Sequence, residues 1–210
     1  WISYDVTLIT RPSYGPAMNC AVAVASAEAL KKMGGESMGL SDMEMSNITK
    51  KWRLKSPNIV ALWAAVENNA IRAIKTKKKI VLSQYRNLAF DYDGKALTLQ
   101  LPSGRKLFYQ TPQLTINKFG KESIKYKGVD QFTKKWWWVD SYGGKFVENI
   151  VQAIARDLLA NSMQELKRLG YSIVMHVHDE VVCEVQSFGA ERKLLNINTI
   201  LSISPDWAEG

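Results

Sequence analysis

Residues Tyr171-Ser-Ile-Val-Met-His-Val-His-Asp-Glu-Val-Val-Cys-Glu-Val185 form two apolar runs with His178, Asp179 and Glu180 set between them. Each flank is rich in β-branched residues and short enough for one strand, so the pattern predicts a β-hairpin with the polar triplet at or near its tip. Adjacent ionised carboxylates repel and raise each other's pKa unless a cation sits between them. Asp179 and Glu180 are therefore a candidate platform for a divalent metal. The competing reading is a solvated turn, and three residues by themselves do not decide between the two.

The segment that feeds this hairpin has helical period. From about Tyr142 to Leu169, Val147, Ile150, Val151, Ile154 and Leu158 recur on one face, and Gly170 stands where a helix ends in the left-handed conformation. Lys145, Asn149, Gln152 and Arg156 follow one another at spacings of four, three and four, which puts them in one polar stripe. Such a stripe is either a solvated face or a binding surface. Because the helix runs directly into the hairpin strand, the stripe is expected within reach of the tip.

Upstream, the period is two from Ile80 to about Tyr109. Asp93-Gly94 and Ser103-Gly104 are turn signals between alternating runs such as Ala96-Leu-Thr-Leu-Gln-Leu101. Asp91 and Asp93 read as turn residues. Residues 110 to 140 are mixed: Lys118, Lys121, Lys125, Lys127, Lys134 and Lys135 interleave with Phe119, Tyr126, Phe132 and Trp136-Trp-Trp138. Basic and aromatic residues together grip a phosphate backbone or stack on bases. Three consecutive tryptophans cannot share one strand face, so part of this cluster is expected in the core.

Residues from about 17 to 79 read as helical. Ser41 with Glu44 three residues on makes a capping box, flanked by a staple between Leu40 and Met45. Ser56-Pro57 supplies an N-cap and a proline at the first helical position of a long second helix bearing Ile59, Leu62, Trp63, Val66, Ala70 and Ile74. Lys75 and Lys77-Lys-Lys79 put cations at its negative end. After Gln186 a basic segment rich in Leu and Ile leads to Pro205-Asp-Trp-Ala-Glu-Gly210. The segments are thus a helical part over 1–79, a β-rich insert with a basic and aromatic connector over 80–140, the helix and hairpin over 141–187, and a terminal segment over 188–210.

With 210 residues, 46% of them hydrophobic, the chain supports a sizeable core. Twenty-eight Lys and Arg against 20 Asp and Glu give +8 and a pI near 9.4, a balance that suits a polyanionic partner such as nucleic acid. Cys20 and Cys183 are too few for a disulfide framework, no apolar run is long enough to span a bilayer, and Trp1-Ile-Ser-Tyr-Asp5 has no secretory character. The expectation is a soluble protein of the cytoplasm, with no membrane partner. A first residue that is Trp rather than Met suggests a piece of something longer.

Three stretches taken together, Leu101-Pro-Ser-Gly-Arg105, Tyr142-Gly-Gly-Lys-Phe-Val-Glu-Asn-Ile-Val-Gln-Ala-Ile-Ala-Arg-Asp-Leu-Leu159 and Ile173-Val-Met-His-Val-His-Asp-Glu-Val-Val182, closely resemble the family A, polymerase I-like DNA polymerases, nearest to their phage forms. The likeness runs in order from about residue 30 to 186. It implies an α+β fold, a palm and fingers fragment with helices packed on an antiparallel sheet and a catalytic β-hairpin. It implies that Asp179 is one of two aspartates holding two Mg²⁺ ions, that Glu180 is an auxiliary carboxylate, and that His178 lies beside the primer terminus. By the same resemblance Lys145, Asn149, Gln152 and Arg156 touch primer-template DNA, Arg105 binds phosphate, and deoxynucleoside triphosphates are substrates. In such sites the primer 3′-oxygen attacks the α-phosphate in line, one metal activating the nucleophile and the other stabilising the leaving pyrophosphate.

The chain also departs from the family pattern. The family's fingers helix has the form Arg-x3-Lys-x7-Tyr-Gly. Tyr14-Gly15 matches its end and makes Tyr14 the nucleotide-binding candidate, but counting back places Val6 and Ile2 at the cation positions, and Pro12 interrupts a helix there. An alignment through Ala29-Leu-Lys-Lys-Met-Gly34 supplies no better cations. The first family motif, Asp-Tyr-Ser-x-Ile-Glu, which carries the second metal aspartate, is echoed faintly by Asp5-Val-Thr-Leu-Ile9, without its glutamate.

Three functions follow as expectations. The first is the C-terminal part of a template-directed DNA polymerase, incomplete as an isolated chain and completed by a missing N-terminal polymerase portion. The second is a catalytically dead DNA-binding module derived from a polymerase, whose affinity would ignore Asp179. The third, a metallohydrolase on His176, His178, Asp179 and Glu180, has only two histidines to draw on. His176 and His178, at alternating positions, share a strand face that Asp179 does not.

Overall fold

The computed structural model describes residues 4–10, 27–86, 88–117, 119–130 and 133–209. The fold is α+β with antiparallel sheets, as expected, and it divides into two compact units: Ala17–Val151, and Trp1–Pro16 together with Gln152–Gly210.

In the first unit, α1 (Ala27–Lys32) precedes α2 (Asp42–Lys55), whose start is built as the sequence predicts. The Ser41 hydroxyl accepts from the Glu44 amide at 3.3 Å, and the Glu44 carboxylate accepts from the Ser41 amide at 2.8 Å. That hydrogen bond, with a second from the Ser41 hydroxyl, holds the Glu44 carboxyl below its ordinary range. Met45, at the staple position, is fully buried. Helix α3 (Pro57–Thr76) starts at the proline, but Ser56 makes no side-chain cap. The reason is crowding of two helices around one residue: Ser56 also ends α2, its amide donating to the Arg53 carbonyl, and its ψ of 54° is not the extended one that carries a cap hydroxyl over the next turn.

Six antiparallel strands follow in sequence order: β2 (Ile80–Leu82), β3 (Leu88–Tyr92), β4 (Ala96–Gln100), β5 (Lys106–Ile116), β6 (Glu122–Val129) and β7 (Trp136–Ser141). One face of this sheet packs on α3. Phe90, Leu97, Leu99, Tyr109 and Ile124 are buried there with Val66 and Ala70, and Phe146 meets Phe90 and Tyr109 edge-on at centroid distances of 5.9 and 4.9 Å. Asp93 is a turn residue, its carboxylate accepting from the Lys95 and Ala96 amides at 2.7 Å each, whereas Asp91, read as a turn residue, lies inside β3 opposite Thr98.

Most of the stretch read as mixed therefore lies in strands. The tryptophans also correct their expectation: none is buried, Trp136 and Trp137 being exposed and Trp138 half-buried. As the edge strand, β7 has a neighbour on one side only, and Trp138 is covered by the Lys125 and Lys127 ammonium groups at 5.0 and 5.5 Å from its ring centroid. Lys118 and Phe132 lie outside the described residues.

Helix α4 (Gly143–Arg168) runs from the first unit into the second and ends at Gly170 with φ 82°. The second unit is a three-stranded sheet in the order β1 (Tyr4–Thr10), β9 (Glu180–Gln186), β8 (Ser172–Val177), with α5 (Ala190–Ser202) packed on β1 and β9. Its core joins Leu159 and Leu166 of α4, Val181, Cys183 and Val185 of β9, and Ile197 and Leu201 of α5. Burial in this apolar setting pushes the Cys183 thiol up. Among the described residues no helix is long and apolar enough to cross a membrane.

Candidate active site

Of the two apolar runs around the triplet, only one is core. Central β9 buries Val181, Val182, Cys183 and Val185, whereas β8 lies at the sheet edge and leaves Val174, Met175 and Val177 exposed. Val177 pairs with Glu180, so His178 and Asp179 alone form the hairpin loop. A two-residue loop needs left-handed backbone to match strand twist, and His178 supplies it with φ 51°. The strand alternation stops at Val177, so the shared-face argument for His176 and His178 does not extend to the loop. Asp179 is exposed at the tip, and Glu180, half-buried, opens β9.

Arg156 reaches the same hairpin. Its two terminal guanidinium nitrogens stand 3.3 Å from Nδ1 and 3.3 Å from Nε2 of His176. The guanidinium thus sits within hydrogen-bonding reach of the imidazole. Two further residues of the stripe are engaged within the first unit. Lys145 Nζ pairs with the Glu148 carboxylate at 3.1 Å, and Asn149 Nδ2 donates to the Tyr109 hydroxyl at 3.3 Å. Burial pushes that tyrosine's pKa well up, so its hydroxyl stays neutral and keeps its own proton to donate. Gln152 is exposed on the same stripe. Arg105 sits in the Leu101 to Arg105 turn, closed by the Leu101 amide donating to the Arg105 carbonyl at 2.8 Å. Tyr14 lies outside the described residues.

The stretch that echoes the first family motif is β1, paired antiparallel with β9, next to the hairpin. Register shows why Asp5 does not complete a metal site. Thr10 is level with Glu180, whereas Asp5 is level with Val185. Five residues of antiparallel strand separate the two levels, roughly 17 Å at about 3.4 Å per residue. Two cations 3.5–4 Å apart, as two-metal sites hold them, cannot be shared across that gap. Among the described residues no group of three His, Cys, Asp or Glu is placed to hold a metal ion. The described residues thus offer one carboxylate at the tip and its neighbour, and do not by themselves hold a pair of divalent metals.

The architecture defines an α+β chain whose chemistry-bearing residues sit on a carboxylate-tipped hairpin backed by an arginine-bearing helix. Over 183 residues it is 42% identical to a DNA polymerase of Bacillus phage SP02. The match takes in 87% of this chain, which spans 28% of the length of the phage protein. The likeness supports a DNA polymerase-like chain. No protein-family model matches, and no solved structure matches.

Proposed function

We propose that this chain is the C-terminal part of a family A, phage-type template-directed DNA polymerase, which adds deoxynucleotides to a primer 3′ end by two-metal phosphoryl transfer. The observation that carries the proposal is the 42% identity to a phage DNA polymerase over 87% of the chain. The two-residue loop that projects Asp179 from the sheet supports it. In this reading Asp179 is one metal-holding carboxylate, Glu180 assists it and His178 stands by the primer terminus. Lys145, Asn149, Gln152, Arg156 and Arg105 contact primer-template, and the second aspartate comes from outside the described residues. The contact of Arg156 with His176 ties the DNA-contacting helix to the hairpin strand, so a shift of one is felt by the other.

The test is primer extension by the chain alone and again with a fragment carrying the family's first motif. Extension is expected only in the mixture, and Asp179→Asn should lower it by roughly a hundredfold or more, as loss of a group that stabilises reacting charge does. Extension by the lone chain, or a mixture indifferent to Asp179→Asn, would overturn the proposal. If Asp179→Ala leaves salt-dependent primer-template binding intact and no mixture extends, the chain is a DNA-binding module without catalysis.

A further inference from the structure

The six-stranded sheet has a second face, opposite α3, that the polymerase reading leaves unused. Directly opposed residues of paired strands share a face. Lys127 pairs with Trp138 and Val129 with Trp136, while Lys125 lies two residues before Lys127 on β6. Gln110 of β5 pairs with Lys127, and Phe108 is two residues from Gln110, which puts it on the same side. Phe108, Val129 and Trp136 are 61%, 58% and 58% exposed. Phe108 and Trp136 stand two strand spacings apart, about 10 Å, with Val129 of β6 between them and Lys127, then Lys125, following along β6 on the same face. Lys125 and Lys127 are held over the Trp138 ring, so charge and ring are presented together.

The ligand is defined by this combination. Between residues 80 and 141 there are ten Lys and Arg against five Asp and Glu, so the sheet region carries +5 of the chain's +8. Flat exposed rings flanked by ammonium groups suit a polyanion with flat apolar faces. A duplex turns its base faces inward, and an acidic lipid surface has none. We propose that this face binds single-stranded DNA, the bases stacking on Phe108 and Trp136 while Lys125 and Lys127 meet the phosphates. The site is separate from the one proposed for nucleotide addition and does not depend on it.

The experiment is fluorescence anisotropy of a labelled oligothymidylate titrated with the intact chain at rising salt. Phe108→Ala and Trp136→Ala remove exposed rings and should leave the melting temperature unchanged, yet each should weaken binding roughly tenfold. Lys125→Gln with Lys127→Gln should flatten the slope of log affinity against log salt by about 1.4. Equal affinity of the ring variants and the parent would overturn the proposal. So would loss of oligothymidylate binding in Lys145→Ala with Arg156→Ala while the ring variants bind normally, because the strand would then lie along α4. Self-association abolished by Trp136→Ala, with unchanged DNA affinity, would reassign the face to a second copy. Primer extension in the reconstituted mixture reads the nucleotide-addition proposal independently.

Discussion

Replacing Gly143 tests how α4 is seated, because nothing flexible stands in the way of a side chain there. A Cβ on Gly143 would lie 2.1 Å from the Trp63 carbonyl oxygen and 2.7 Å from its carbon, both backbone atoms of α3. No rotamer relieves such a contact. The first turn of α4 would have to retreat by about 0.9 Å to restore even a 3.0 Å approach. That movement would withdraw Phe146 and Val147 from the core and stretch the 3.2 Å hydrogen bond from the Gly143 amide to the Glu67 carboxylate. Overpacking against a fixed neighbour costs up to about 3 kcal/mol, and the upper end applies where that neighbour is main chain. Gly144 is the internal control. Its added Cβ meets the Tyr142 ring edge at 2.9 Å, but that ring is exposed and can swing aside, while alanine gains up to about 1 kcal/mol of helix propensity. Urea unfolding followed by circular dichroism should place the Gly143→Ala midpoint about 1 M or more below the parent, with Gly144→Ala at or above it. A Gly143→Ala midpoint equal to that of Gly144→Ala would show that the close approach of α3 and α4 is not what the Gly-Gly pair provides.

Ser41→Ala should lose about 1 kcal/mol of stability in denaturant titrations, because it removes the cap on the first turn of α2. Hydrogen bonds hold the Glu44 and Asp93 carboxyls below their ordinary values of 4.5 and 3.8, the Ser41 amide acting first on Glu44 and the Ala96 amide first on Asp93. A lowered folded-state pKa contributes stability that is complete above the unfolded pKa and is lost as pH falls through the folded one. Melting temperature should therefore drop on acidification below about pH 4.5, and less so in Ser41→Ala. His178→Gly relieves a left-handed residue and should leave stability unchanged or raised by up to about 1 kcal/mol by thermal denaturation. Arg156→Lys keeps the charge but has one nitrogen where the guanidinium places two against the imidazole, so the His176 ring resonances should move in proton NMR and β8 amides should exchange faster.

The hairpin was readable because β-branched runs on both sides of a short polar triplet leave few alternatives. The capping box was readable because its two hydrogen bonds depend on residues three apart in sequence. Strands β5 to β7 were not, since lysines alternate with apolar residues there and a bulge between Gln110 and Gln113, with Thr111 at φ 48°, breaks the period. The exposed tryptophans were misjudged for a related reason. Hydrophobicity marks a residue for the core only where a second layer covers it, and strand order, which decides that, is set by long-range pairing. The failed Ser56 cap is local: the sequence offers the right residue, but one serine is asked to end a helix and begin another.

The contact of Arg156 with His176 lay beyond any sequence pattern, since twenty residues and a turn separate the partners. What sequence order did contain, without revealing it, is the exclusion of Asp5. A faint motif read along the chain invites pairing Asp5 with Asp179, and the sheet does bring β1 beside β9. Antiparallel pairing then runs the strands in opposite directions, so the motif's first residue lands at the end of β9 away from the tip. The β1 position level with Glu180 is Thr10, not an acidic residue. A partner for Asp179 must therefore be sought at the tip end of the sheet, and the reconstitution assay asks for a carboxylate at that level.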